Sequence, residues 1–247
     1  MTPEERYAFD VQGFLKIEGA MAPDHVAACN AVIDAATDKT TWRGGPSLLT
    51  RGAPFLALLD NPRVMPYLDE ILGRGFWLDH DYTIFSQPGT GELGLHGGGT
   101  PYDPSQYYLV KNGQIHSGLT VVSYALADVP EGQGGFACIP GSHKAAFPCP
   151  DDLINFRVSS PLVQQVPMRA GDALLFTEAL THGSFEWTAP HERRSLFFKY
   201  SPRHMSWAKT YYLDTPGRPD VQALLETLSP RQRDLLQHPS DYAGKRR

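Results

Sequence analysis

The sequence predicts a mainly β domain with flanking helices, a sandwich or barrel braced from its two ends. Short β-type runs fill the stretch from about residue 76 to 200 and are cut apart by Gly/Pro turns. Helical periodicity is confined to the regions on either side. No repeat, charge block or Ser/Gly tract divides the 247 residues, so residues 1–247 read as one domain.

Taken in order, Ala22-Pro23-Asp24 opens a helix that carries Val26, Cys29, Val32, Ile33 and Ala36 on one face. The segment 61–73 has an N-cap residue in Asn61, proline in its first turn and a closing Gly73, the marks of a second helix. Strands are expected at 76–85, 117–126, 135–139, 162–168, 173–176 and 195–200, and a last helix over 221–236.

Composition narrows the function classes. Hydrophobic residues at 41% and charged residues at 20% are those of a folded chain with a substantial core. No apolar run approaches the roughly 18 residues of a membrane-spanning helix, and the acidic opening Met1-Thr2-Pro3-Glu4-Glu5 is unlike a signal peptide. Three scattered cysteines make neither a disulfide framework nor a thiolate metal site, which points to the cytoplasm. A net charge of −5 argues against binding a nucleic-acid polymer. The expected partner is a small molecule, and oligomeric state is not legible.

Two of the nine histidines stand apart. His96 closes an apparent strand before Gly97-Gly98-Gly99, and His182 follows the run Ala170-Gly171-Asp172-Ala173-Leu174-Leu175-Phe176 and precedes Gly183-Ser184. Imidazole nitrogens suit iron, and small neighbours let a metal and a co-ligand approach. Spacing alone leaves open that both only donate hydrogen bonds.

The words around them decide more. Pro140-Gly141-Ser142-His143-Lys144, the run 170–176, His182-Gly183-Ser184, Arg193-Arg194 and the opening Phe9-Asp10-Val11-Gln12-Gly13-Phe14-Leu15 resemble, in order, the phytanoyl-CoA dioxygenase family of iron(II)- and 2-oxoglutarate-dependent enzymes. The resemblance implies a double-stranded β-helix, a cupin-like jelly roll. It also implies Fe(II), 2-oxoglutarate and O2 as cofactors, with His96 and His182 as metal ligands. Arg193 would pair with the distal carboxylate of 2-oxoglutarate and Ser184 would hydrogen-bond it; Arg194 is the fallback, because adjacent strand residues face opposite ways. His143 belongs to the turn.

One position departs from the family. Such enzymes carry an acid two residues after the first histidine, and here that residue is Gly98. Chloride in the vacated position would restore both charge and coordination number, as in the halogenases of this superfamily. The lead expectation is therefore a halogenase that chlorinates an unactivated carbon, with chloride as a further cofactor and Gly98 as its site. A hydroxylase whose third ligand is water or a distant carboxylate (Asp103 being the nearest downstream) is the main alternative. A non-catalytic iron- or oxoacid-binding scaffold is the second.

For substrate, Lys199, Arg203, His204, Trp207 and Lys209 interleave cations with aromatic rings, which makes a nucleotide the first choice against a merely solvated strand end. On 115–124, the set His116, Gly118, Thr120, Val122 and Tyr124 and the set Ser117, Leu119, Val121 and Ser123 face opposite ways, and either could face the interior. The segment 97–114, with Tyr102, Tyr107 and Tyr108, reads as a lid or as a plain surface excursion.

Overall fold

Alternation along the longest strand shows where the layers lie. In Arg193–Pro202, Leu196, Phe198 and Tyr200 join a core shared with the helices, whereas Phe197 joins a second core on the opposite face. The computed structural model describes residues 1–39, 42, 47–73, 75–208, 219–237 and 239. Its strands are β1 (Phe14–Ile17), β2 (Phe76–Ser86), β3 (Leu93–His96), β4 (Tyr108–Lys111), β5 (Gln114–Ser117), β6 (Thr120–Ala125), β7 (Gly135–Cys138), β8 (Gln164–Gln165), β9 (Ala173–Thr177), β10 (His182–Phe185) and β11 (Arg193–Pro202). A five-stranded antiparallel sheet has the order β1-β9-β6-β11-β2; a four-stranded one has the order β3-β10-β7-β8; β4 and β5 form a hairpin.

The two sheets enclose an apolar interior. Val121, Ala125, Leu174, Phe176 and Phe197 enter it from the larger sheet, Phe136 and Cys138 from the smaller. This is the jelly-roll architecture expected. The outer face of the larger sheet is covered by α1 (Pro3–Gln12), α2 (Pro23–Ala35), α3 (Ala53–Leu56) and α4 (Met65–Ile71), through Phe9, Cys29, Ile33, Phe55, Leu68 and Ile71. The short α5 (Asp151–Ile154) lies against β3, and α6 (Pro219–Thr227) and α7 (Pro230–Leu235) end the described chain. No described helix is long and apolar enough to cross a membrane.

Several elements differ from expectation for local reasons. Phe9–Gln12 is the last turn of α1, a helix opened by a Thr2/Glu5 capping box, so the first strand begins only at Phe14. The helix expected from Asn61 starts at Met65, after a turn in which Asn61 Oδ1 accepts from the Arg63 amide while its NH2 donates to the Ala20 carbonyl. The C-terminal helix is two, since Ser229 caps a new one before Pro230. Of 162–168 only Gln164–Gln165 pairs as strand, with a single bridge from Met168 to Val129. The inward set on β6 is Val121, Ser123 and Ala125; Val122 and Tyr124 face the helices, and His116 is exposed.

The Pro140–Lys144 turn braces the two arms of the interior. Ser142 Oγ accepts from the Thr181 amide at 2.7 Å, and the Ser142 carbonyl accepts from the Gly99 amide at 3.1 Å. His143 Nε2 donates to the Asp10 carbonyl at 3.1 Å, so His143 is part of the scaffold. Burial pushes its pKa down to about 4. Between about 4 and the usual 6.5 the unfolded chain therefore binds more protons, and stability is lost as pH falls through that window. His143→Gln is expected to flatten this acid-side loss by about 3 kcal/mol, read from denaturation midpoints across pH.

Candidate functional site

His96 ends β3 and His182 begins β10, and the two are direct cross-strand partners. Their ring centroids lie 4.3 Å apart. His182 Nδ1 is 2.7 Å from the Leu180 carbonyl and His96 Nδ1 is 3.1 Å from the Gly94 carbonyl. A carbonyl only accepts, so each Nδ1 carries the proton and each Nε2 keeps a lone pair for a metal. His182 is buried between Phe136 and Phe176, with ring centroids at 5.8 and 4.8 Å. That burial pushes its pKa down to about 4, against the charge of Glu178, which keeps the imidazole neutral at physiological pH.

Arg193 begins β11 and points into the interior. It is 6% exposed, and its guanidinium makes no hydrogen bond or ion pair among the described residues. Burial alone lowers its pKa to about 10. An unpaired buried guanidinium is costly, and a carboxylate ligand is what would complete it. Its Nε lies 3.7 Å from the point a Cβ on Gly135 would occupy, and Gly135 is in register with Phe185, next to Ser184. Ser184 shares the face of His182 on β10. Arg194, the fallback, turns the other way and donates to Asp34, Glu192 and Asn30.

With this arrangement in view, the sequence matches the family model of phytanoyl-CoA dioxygenase (PhyH) over residues 9–195. The chain belongs to the phytanoyl-CoA dioxygenase family. Among solved structures it is similar to HygX from Streptomyces hygroscopicus with nickel and 2-oxoglutarate bound, at 24% identity and a TM-score of 0.75, over 88% of this chain and 95% of that one. The iron-bound form of HygX matches at 25% identity and a TM-score of 0.75, over 84% and 90%. The α-ketoglutarate-dependent carbocyclase SnoK from nogalamycin biosynthesis matches at 18% and 0.63, over 82% and 85%. The protein is thus an enzyme of the iron- and 2-oxoglutarate-dependent oxidoreductase kind.

The family's acid position is closed in this chain for a backbone reason. Gly98 has φ +112°, and a Cβ built there would stand 2.8 Å from Thr181 Oγ1. Gly97, at φ +75°, would place a Cβ 2.6 Å from the Glu178 carbonyl oxygen and 2.7 Å from that of Leu180. Both positions require glycine whatever ion the site holds. Gly98→Asp is therefore expected to lower stability by about 1–3 kcal/mol, measured by thermal melting of the metal-free protein. Asp103 is spent on its own turn, accepting from the amide and hydroxyl of Ser105 at 2.7 and 2.6 Å. Among the described residues no three His, Cys, Asp or Glu side chains are gathered as a ready metal cluster.

The cations that pointed to a nucleotide are dispersed. Lys199 is buried, donates to Glu178 Oε1 at 2.6 Å and lies over the Tyr82 ring at 5.3 Å. Arg203 binds the Asp234 carboxylate and the carbonyls of Asp234 and Gln237 in the α7 region. His204 Nε2 is 3.2 Å from the Tyr107 hydroxyl, Tyr102 is exposed, and Tyr108 donates to Asp10 from the β4–β5 hairpin, so 97–114 is partly strand rather than a free lid. Lys209 lies outside the described residues.

Trp207, His80, Tyr82 and Phe197 stack in sequence, at centroid spacings of 5.0, 6.0 and 4.9 Å. Asp79 anchors this stack, accepting from His80 Nδ1 and from the amides of Trp207 and Ala208. Sequence reasoning missed both the stack and Glu178. The only signal for Glu178 was a charged residue inside an otherwise apolar run, four positions before His182.

Proposed function

We propose that this protein oxidises an unactivated C–H bond of a free small molecule, with His96 and His182 holding Fe(II) and Arg193 and Ser184 holding 2-oxoglutarate, and that its product is hydroxylated, not chlorinated. The observation that carries the reading is the histidine pair with both Nδ1 protons fixed on carbonyls and both Nε2 lone pairs free. When bound, iron and 2-oxoglutarate supply, with O2, the oxidising power that removes hydrogen from carbon.

The chain's own part is placement. His182, kept neutral by its burial, binds without first losing a proton. The Arg193 fork takes the distal carboxylate in two places while Ser184 offers a hydroxyl. Phe136, Phe176 and Phe197 line the interior and exclude water. A small-molecule substrate is supported by HygX, solved with hygromycin B bound. A nucleotide has lost its support, because Lys199 and Arg203 are already neutralised. Three unpaired cysteines favour the cytoplasm.

Chlorination rests on the absent side chain at residue 98; the φ of +112° there is one that glycine adopts readily, and the product decides between hydroxyl and chloride. The test is turnover with Fe(II), 2-oxoglutarate and a substrate panel in chloride-free buffer, products read by mass spectrometry. Succinate and an oxygenated product formed at full rate are expected. A chlorinated product that appears only with added chloride would restore the halogenase reading, and no 2-oxoglutarate consumption with any substrate would favour the scaffold.

A further inference from the structure

We propose that the rim beside the exposed His96 is an aromatic shelf that selects an amine-bearing substrate as its ammonium ion, with Trp207 as the ring that receives the charge. This deepens the small-molecule reading above and rests on it for the place of the reaction. Phe197 lies in the interior, and Tyr82 stacks on it at 4.9 Å with the ring planes 7° apart. His80 and then Trp207 continue the row outward, and Trp207 is 48% exposed. The row starts close to the two histidines: Lys199 stands over Tyr82 and donates to Glu178, whose main chain packs on Gly97. It ends where two segments meet, since the Tyr107 hydroxyl and His204 Nε2 are 3.2 Å apart.

Trp207 differs from the other three tryptophans. Trp42, Trp77 and Trp187 are buried and donate their indole N–H to Asp38, Met205 and His191. Trp207 is held by its backbone amide, which donates to Asp79 at 2.7 Å, and by its ring stacked on His80. A ring fixed before a ligand arrives gives up little freedom on binding. Charge decides which ligand the shelf suits. Segment 97–107 contains no Lys or Arg, and 203–208 contains only Arg203, which is paired with Asp234. Lys199 is paired with Glu178. Asp103 accepts from the amide and hydroxyl of Ser105, neutral groups that leave its charge standing. Burial raises the pKa of Asp79, but His80 and the amides of Trp207 and Ala208 bring it below the ordinary value, so the anchor of the row is an anion. Aromatic faces above such an anion, with both nearby cations already neutralised, attract an ammonium and repel a carboxylate.

The opposing view is a row of rings that only seals the end of β11. Ligand-observed NMR titration of the metal-free full chain with benzylammonium, benzyl alcohol and benzoate separates the two, because these probes are alike in shape and differ in charge. Benzylammonium is expected to bind saturably and more tightly than either of the others. Trp207→Leu keeps an apolar side chain but no π face, and is expected to weaken benzylammonium by about 3- to 30-fold, the worth of one cation–π contact. Trp207→Phe, which keeps a π face, is expected to stay within about threefold of the parent. No saturable binding of benzylammonium to the parent, equally tight binding of either other probe, or unchanged affinity in Trp207→Leu overturns the assignment. The titration needs neither iron nor 2-oxoglutarate, so a failure of turnover sinks the proposed reaction and leaves the cation selectivity of the shelf to be read by itself.

Discussion

Arg193→Met is expected to do two opposite things at once, and both follow from one buried cation. In the ligand-free protein the guanidinium is nearly fully enclosed and unpaired, with burial alone depressing its pKa to about 10. Replacing it with an apolar side chain of similar length removes that desolvation cost, so the ligand-free variant should melt higher, by about 1–3 kcal/mol in stability. The same change removes the fork that would receive the distal carboxylate of 2-oxoglutarate. Truncating one partner of a buried, hydrogen-bonded charge pair costs about 2–5 kcal/mol, or roughly 30-fold to several thousand-fold in affinity. Thermal melting with and without 2-oxoglutarate reads both effects, since a ligand that binds only the folded state raises the midpoint in proportion to its affinity. A variant that melts lower and still binds 2-oxoglutarate as the parent does would show that Arg193 is a structural cation. Arg194→Met gives the contrast: its losses of Asp34, Glu192 and Asn30 act on the fold, and oxoacid affinity should stay unchanged.

The sequence made the fold class legible because it is written in local signals. The run 173–176 is continuously apolar, and β9 and β6 are buried along their whole length, as befits strands covered on both faces. The histidine pair was legible only through the family resemblance. Eighty-six residues separate His96 from His182, and no periodicity announces that β3 and β10 put them opposite each other. The choice between Arg193 and Arg194 is set by strand alternation, which fixes that they face apart but not which one faces inward. Gly98 is only half legible for a related reason. A missing side chain looks like a vacancy when only composition is visible, and the φ of +112° that explains it is a three-dimensional fact. Glu178 was hidden because its relation to the histidines runs through the packing of Gly97 against 178–182, a contact between distant strand ends.

His96→Ala and His182→Ala are expected to abolish metal binding alike and to differ sharply in stability. Either change removes one of two imidazole donors. Loss of metal affinity should therefore exceed the 10–100-fold that follows from disturbing outer partners of a ligand, reaching roughly 100-fold or more by Co(II) titration. His96 is exposed, and its Nδ1 bond to the Gly94 carbonyl is replaceable by water, so its loss should leave the metal-free protein within about 0.5 kcal/mol of the parent. His182 is buried against Phe136 and Phe176, and its Nδ1 satisfies the Leu180 carbonyl at 2.7 Å. Alanine there opens a cavity and leaves a buried acceptor unpaired, a loss of about 2–4 kcal/mol. For a domain of this size that is roughly 5–15 °C in melting temperature. Equal destabilisation by both variants would mean that the rings are not held as described, and unchanged metal affinity in either would remove that histidine from the site. The asymmetry follows from burial: the His182 ring is held by Phe136, Phe176 and the Leu180 carbonyl, and the exposed His96 ring by the Gly94 carbonyl alone.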